Sequence, residues 1–86
     1  MPSMAEKIEQ ILKQKLHATT VEVEDQSYLH KGHAGAMKGG GHYRVRVISP
    51  LFEGKSLVEQ HQRVYRALQE EMKADIHALA LQTSPK

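Results

Sequence analysis

No cysteine occurs in the 86-residue chain. Disulfides are therefore excluded, as is any metal site built from this chain's own thiolates, and a metal would have to be held through nitrogen or oxygen. Net charge is also scarce. Twelve Lys and Arg stand against 10 Asp and Glu, a formal charge of +2, which permits attraction to polyanions without requiring it. No apolar run approaches the ~18 residues of a membrane span. Glu6, Lys7, Glu9 and Lys13 interrupt the N-terminus, which argues against a signal-peptide core. The expectation is a soluble, cytoplasmic protein with no membrane association, or a matrix protein if the chain serves an organelle. Also missing are a serine in a nucleophile elbow and a phosphate-binding glycine motif between a strand and a helix. A general-base histidine would have no nucleophile to serve, so the chain is not expected to be an enzyme.

What is present is concentrated in residues 27–42, SYLHKGHAGAMKGGGH, which hold five of the six glycines and three of the six histidines. Glycine raises the entropy cost of ordering a backbone, so this stretch reads as a long mobile loop. Loops of that length are uncommon in compact domains and usually functional. Its histidines point to metal ligation, since imidazole is the commonest metal-binding side chain.

Around the loop the pattern is regular. Ser3 with Glu6 forms a capping box, and Met4, Ile8, Ile11, Leu12 and Leu16 recur at helical spacing behind it. Val21 and Val23 alternate with Glu22 and Glu24 as in a half-buried strand. After the loop, Tyr43, Val45 and Val47 alternate with His42, Arg44, Arg46 and Ile48, so the two strands are expected to form a hairpin. Pro50 ends the second strand, and a turn is built around Gly54. Ser56 with Glu59 repeats the capping box. A long helix is expected to run from there to Asp75 on a stripe of Leu57, His61, Val64, Tyr65, Leu68 and Met72. IHALALQT, residues 76–83, has strand length and places His77 on one face with Leu79 and Leu81. One domain, residues 1–86, is expected. A last strand reached through a helix lies parallel to its neighbour, giving a two-layer α+β domain in which helices cover one face of a three-stranded sheet.

Three kinds of function remain open on these residues. His30 and His33 have the H-x-x-H spacing of metal ligands, but two or three imidazoles leave a site incomplete. That suggests a metal shared with a partner bringing thiolates, as where histidine replaces cysteine on one iron of a cluster. Arg44 and Arg46 on one strand face, with Arg63 and Arg66 at i, i+3 on the second helix, offer a basic patch for DNA or RNA phosphates. Its charge is diluted, because residues 57–74 carry as many acidic as basic groups, and Glu59 can pair with Arg63. His61, among the apolar positions, reads as a hydrogen-bonded structural histidine before it reads as a ligand. The third class is a plain protein-interaction module.

The ordered pieces VEVEDQS, the H-x-G-H loop, HYRVRVISPLFEG, QHQRVYRALQEEM and IHALALQTSP resemble the BolA family over residues 21–85. The resemblance implies a class II KH-like αββαβ fold. It also implies partnership with a monothiol glutaredoxin in a heterodimer bridged by a [2Fe-2S] cluster, with a role in iron–sulfur and iron homeostasis. In that complex the glutaredoxin cysteine and glutathione supply thiolates. This chain would supply His77, which begins HAL, and a loop histidine, with His33 the best match and His30 the alternative. No cluster is expected on the isolated chain. Family members are also proposed to act as DNA-binding transcription regulators of stress response or morphology. Where many of them read R-H-R, this chain reads Gln60-His61-Gln62, which weakens that helix as a basic one.

Overall fold

Two serines start the two main helices. The computed structural model of the protein describes residues 3–26, 41–74 and 76–86. Ser3 caps α1 (Met4–Lys15), its hydroxyl accepting from the Glu6 N–H at 3.2 Å. Ser56 caps α2 (Leu57–Ala67), its hydroxyl accepting from the Glu59 N–H at 3.2 Å while Glu59 accepts the Ser56 N–H at 3.0 Å. Both capping boxes satisfy backbone donors that a helix start leaves without partners.

The chain runs α1, β1 (Thr20–Asp25), β2 (Gly41–Ile48), a 3-10 turn (Pro50–Phe52), α2, α3 (Gln69–Ala74) and β3 (Ile76–Ser84). The sheet order is β1-β2-β3. β1 and β2 pair antiparallel, with Val23 opposite Val45, and β2 and β3 pair parallel, with Tyr43 opposite Leu79. Val21, Tyr43, Val45 and Val47 are buried against Ile8, Leu12, Leu16, Val64, Ala67 and Leu68. Glu22, Glu24, Arg44 and Arg46, at the alternate positions, are exposed. All the helices thus lie on one face, as the strand alternation requires. Each large core side chain contributes about 1.5–3 kcal/mol by burial.

The turn after β2 is a structural node. Phe52 is fully buried. Buried Ser49 donates to the Leu16 carbonyl at 2.6 Å and accepts from the Leu51 N–H at 3.1 Å, tying the turn to the end of α1. Gly54, at φ +76, takes the left-handed conformation that closes it.

The second helical region departs from expectation in two ways. It is not one helix: Leu68, at φ −101 and ψ 18, leaves helical geometry and separates α2 from α3. Its side chain is fully buried, and beyond the break Glu71 is buried and pairs with Lys7 at 3.7 Å. The buried stripe is also rotated. Gln60, Val64, Ala67 and Leu68 face the core, whereas Leu57 and Tyr65 are exposed and His61 is half-buried. The polar Gln60 is tolerated inside because its amide donates to the Lys55 carbonyl at 2.9 Å and accepts from the Thr83 hydroxyl at 2.6 Å. His61 makes no hydrogen bond among the described residues, contrary to the expectation of a hydrogen-bonded structural histidine.

Candidate functional site

The β2–β3 ladder carries one irregularity, and it sits at His77. Gly41 lies opposite Ile76, but the next residue, His42, lies opposite Ala78, so His77 is an extra residue in β3. Such a bulge re-aims a side chain, and this one breaks the alternation. Ile76 takes the core position, Leu79 and Leu81 are half-buried against the helices, and His77 is exposed. The expected sharing of a face with Leu79 and Leu81 therefore does not hold. Instead the His77 ring stands beside that of His42, their centroids 5.0 Å apart and their planes inclined at 45°. His42 belongs to the open face of the sheet, in phase with Arg44 and Arg46.

β1 ends and β2 begins at this end of the sheet. The Gln26 N–H donates to the His42 carbonyl at 2.7 Å, extending the β1–β2 pairing to His42. His33 and His30, the expected loop ligands, lie outside the described residues.

Two imidazoles bound to one ion at ~2.0–2.1 Å in tetrahedral arrangement have ring centres about 5 Å apart. The His42–His77 separation fits that requirement. Two donors do not close a site, and no group of three or more His, Asp or Glu suited to a metal gathers among the described residues. In the sequence His42 is one of the three histidines of residues 27–42 and stands at the start of a strand, with nothing to set it beside His77. The bulge that brings it to His77 leaves no mark in the amino-acid pattern.

The basic residues divide into two surfaces. On the open sheet face Arg46 pairs with Glu22 at 3.2 Å, and Arg44 lies across from Glu24, so carboxylates offset both cations. On the other side of the molecule, two adjoining clefts share Arg63 and Arg66, one adding Lys55 and the other Lys15. Among the described residues none of these four cations has a carboxylate within ion-pair distance; Lys15 donates to the Ala67 carbonyl at 3.3 Å. Glu59, expected to pair with Arg63, turns to Ser56 instead. The Ser56 backbone and hydroxyl hydrogen bonds hold its carboxyl below the usual value, with smaller help from Lys55 and Arg63. Of the three acidic residues in the sequence sum, Glu59 lines the cleft beside Lys55 and Arg63, while the other two lie on α3, where Glu70 pairs with Lys73 at 3.6 Å and Glu71 with Lys7.

The family described as BolA-like protein matches residues 12–86, a span that takes in His42, His77 and the whole sheet. SufE-like protein 1, chloroplastic/mitochondrial, of Arabidopsis thaliana is 40% identical over 80 residues, covering 87% of this chain and 22% of that protein, so the chain spans about a fifth of its length. DNA-binding transcriptional regulator BolA of Escherichia coli K12 is 36% identical over 78 residues, covering 91% of this chain and 71% of that one. The solved structure of BolA1 from Arabidopsis thaliana has a TM-score of 0.82 at 36% identity, covering 98% of this chain and 93% of that one. The shared sheet, helices and sequence show that this chain belongs to the BolA family.

Proposed function

We propose that the chain is a non-enzymatic adaptor that binds a monothiol glutaredoxin and co-ligates a bridging [2Fe-2S] cluster, serving iron–sulfur and iron homeostasis. The observation that carries this reading is the His42–His77 pair at 5.0 Å, an incomplete nitrogen donor set in a chain without cysteine. The bulge holds His77 outward, where a partner can reach it. The second nitrogen comes from His42, which already stands beside it, or from His33 or His30. The cluster supplies transferable iron and sulfide, and neutral nitrogen ligands on one iron raise its potential relative to thiolates. With thiolates supplied only by the glutaredoxin cysteine and glutathione, the isolated chain does not retain it.

Mixing the chain with a monothiol glutaredoxin, glutathione, iron and sulfide is expected to give a coloured heterodimer. His77→Ala, at an exposed position, changes its visible spectrum and shortens cluster retention. Of His42→Ala, His33→Ala and His30→Ala, the one that does the same identifies the second ligand. An unchanged spectrum and retention in His77→Ala refutes the assignment.

A second reading, a KH-like nucleic-acid-binding transcription regulator of stress response or morphology, is favoured by one observation, the surface of Lys15, Lys55, Arg63 and Arg66, four cations that form no close ion pair among the described residues, with Glu59 in its lining. A relative bears the name DNA-binding transcriptional regulator. Four phosphate contacts give a log–log salt slope of roughly −3 to −4 on duplex DNA. Titrations of duplex DNA and single-stranded RNA at two ionic strengths measure it, and Arg63→Glu with Arg66→Glu abolishes binding. No binding at low salt removes this reading.

A further inference from the structure

β3 lies at an edge of the sheet. Its nine residues, IHALALQTS, include no Asp, Glu, Lys, Arg or Pro, the residues with which exposed edges are usually protected from pairing. Two hydrogen bonds show which groups it presents. The Ser49 N–H, just past β2, donates to the Ser84 carbonyl at 3.1 Å, and the Tyr65 hydroxyl of α2 donates to the Leu79 carbonyl at 3.3 Å. In an extended strand the N–H and C=O of one residue point the same way and those of the next point oppositely. Ser84, Gln82 and Ala80 therefore face β2, and Leu79, Leu81 and Thr83 turn their backbone groups to the free edge. Of those groups only the Leu79 carbonyl has a partner among the described residues, the Tyr65 hydroxyl.

The flank of α2 continues this edge. Gln60 meets Thr83 and Tyr65 meets Leu79, so α2 runs antiparallel to β3. Its outer side carries Leu57 (62% exposed), Val58 (65%), half-buried His61 and Tyr65 (41%), with no formal charge. Edge and flank together form one uncharged strip, and exposed His77 stands at its end. A partner that shares a metal with His77 lies against that end of the strip.

We infer that the partner sharing the cluster docks an extended, uncharged segment on the free edge of β3, pairing with Leu79, Leu81 and Thr83 and covering Leu57, Val58 and Tyr65. The inference rests on the adaptor reading and adds where and how the partner binds. Main-chain hydrogen bonds supply the affinity, the Leu57–Tyr65 flank supplies apolar contact, and the Tyr65 hydroxyl gives way at the Leu79 carbonyl. Docking is independent of the metal, because none of these groups ligates it.

The test uses the full chain and an apo monothiol glutaredoxin with no iron present. Leu81→Pro removes an edge-facing N–H and leaves the ladder to β2 intact. Val58→Glu places a charge on the exposed flank and cannot disturb the core. Each variant is expected to bind at least tenfold more weakly, while Gln10→Ala, at an exposed position of α1 away from β3, binds within twofold of the parent. In the complex the amides of Leu81 and Thr83 exchange more slowly than in the free chain. Parental affinity in both Leu81→Pro and Val58→Glu, or no added protection at these amides, overturns the inference while the adaptor reading stands on the cluster spectrum. No glutaredoxin binding, with or without cluster, overturns both. Sedimentation of the chain alone as a dimer with these amides protected also overturns it, because the occupant is then a second copy.

Discussion

Replacing Thr83 by Val tests the buried contact that fastens α2 to the end of β3. Thr83 is 8% exposed and Gln60 6%, and their side-chain oxygens are 2.6 Å apart. Valine keeps the shape of threonine and removes only the hydroxyl donor. The Gln60 carbonyl oxygen then stays buried without it, while the Gln60 amide still donates to the Lys55 carbonyl. A buried acceptor stripped of its donor costs about 1–3 kcal/mol. In a domain of this size each kcal/mol lowers Tm by roughly 4–8 °C, so Thr83→Val is expected to melt roughly 5–20 °C lower. Thr83→Ser keeps the hydroxyl and loses one methyl, about 0.8 kcal/mol, so it is the milder change. Thermal melts and urea titrations measure both, with the urea m-value unchanged because the surface exposed on unfolding is the same. In Thr83→Val with Gln60→Leu no carbonyl oxygen of residue 60 is left without its donor, and the loss is less than the sum of the single losses. The reasoning fails if Thr83→Val melts with the parent, or if Thr83→Ser is the more damaging substitution.

Two further outcomes follow from the turn and the α2 cap. Phe52→Ala empties a fully buried site and costs about 3–5 kcal/mol, a large share of the ~5–15 kcal/mol that holds such a domain together; urea unfolding measures it, and a loss under about 1 kcal/mol contradicts the placement. Because the folded-state pKa of Glu59 is depressed, its contribution is present above the ordinary carboxylate value of 4.5 and is lost as pH falls through the lowered value. Glu59→Gln therefore flattens the acid limb of a Tm-versus-pH curve, and identical limbs in parent and variant refute the cap's role.

The elements were legible where one physical rule governed them. The capping boxes at Ser3 and Ser56, the alternation in β1 and β2, and the parallel placement of β3 after a helical crossover are all readable from spacing. In the second helix apolar character is a poor measure of burial. Gln60 goes inside on the strength of hydrogen bonds to Lys55 and Thr83, which lie far from it in spacing rules, and Leu57 and Tyr65 stay outside. His77 was singled out through family resemblance, but its companion His42 was not, since strand period alone puts position 77 on the wrong face. The basic surface was hidden for a different reason. A charge sum over residues 57–74 mixes Glu70 and Glu71 of α3 with Arg63 and Arg66 of α2, and it omits Lys15, which only the fold brings near.

The extra residue in β3 separates two demands that a regular strand would bind together. In an unbroken strand position 77 would point at the helices, and any change to its chemistry would be felt by the core. Here Ile76, Leu79, Leu81 and Thr83 keep the inward parity, and Ala78, Ala80 and Gln82 the outward one, with His77 counted in neither. Deleting that one residue would restore perfect alternation from Ile76 to Ser84. The resulting sheet would be more regular than the natural one and would have lost its outward imidazole. The regularity of the sheet and the outward imidazole are thus alternatives at this position, and the chain carries the imidazole.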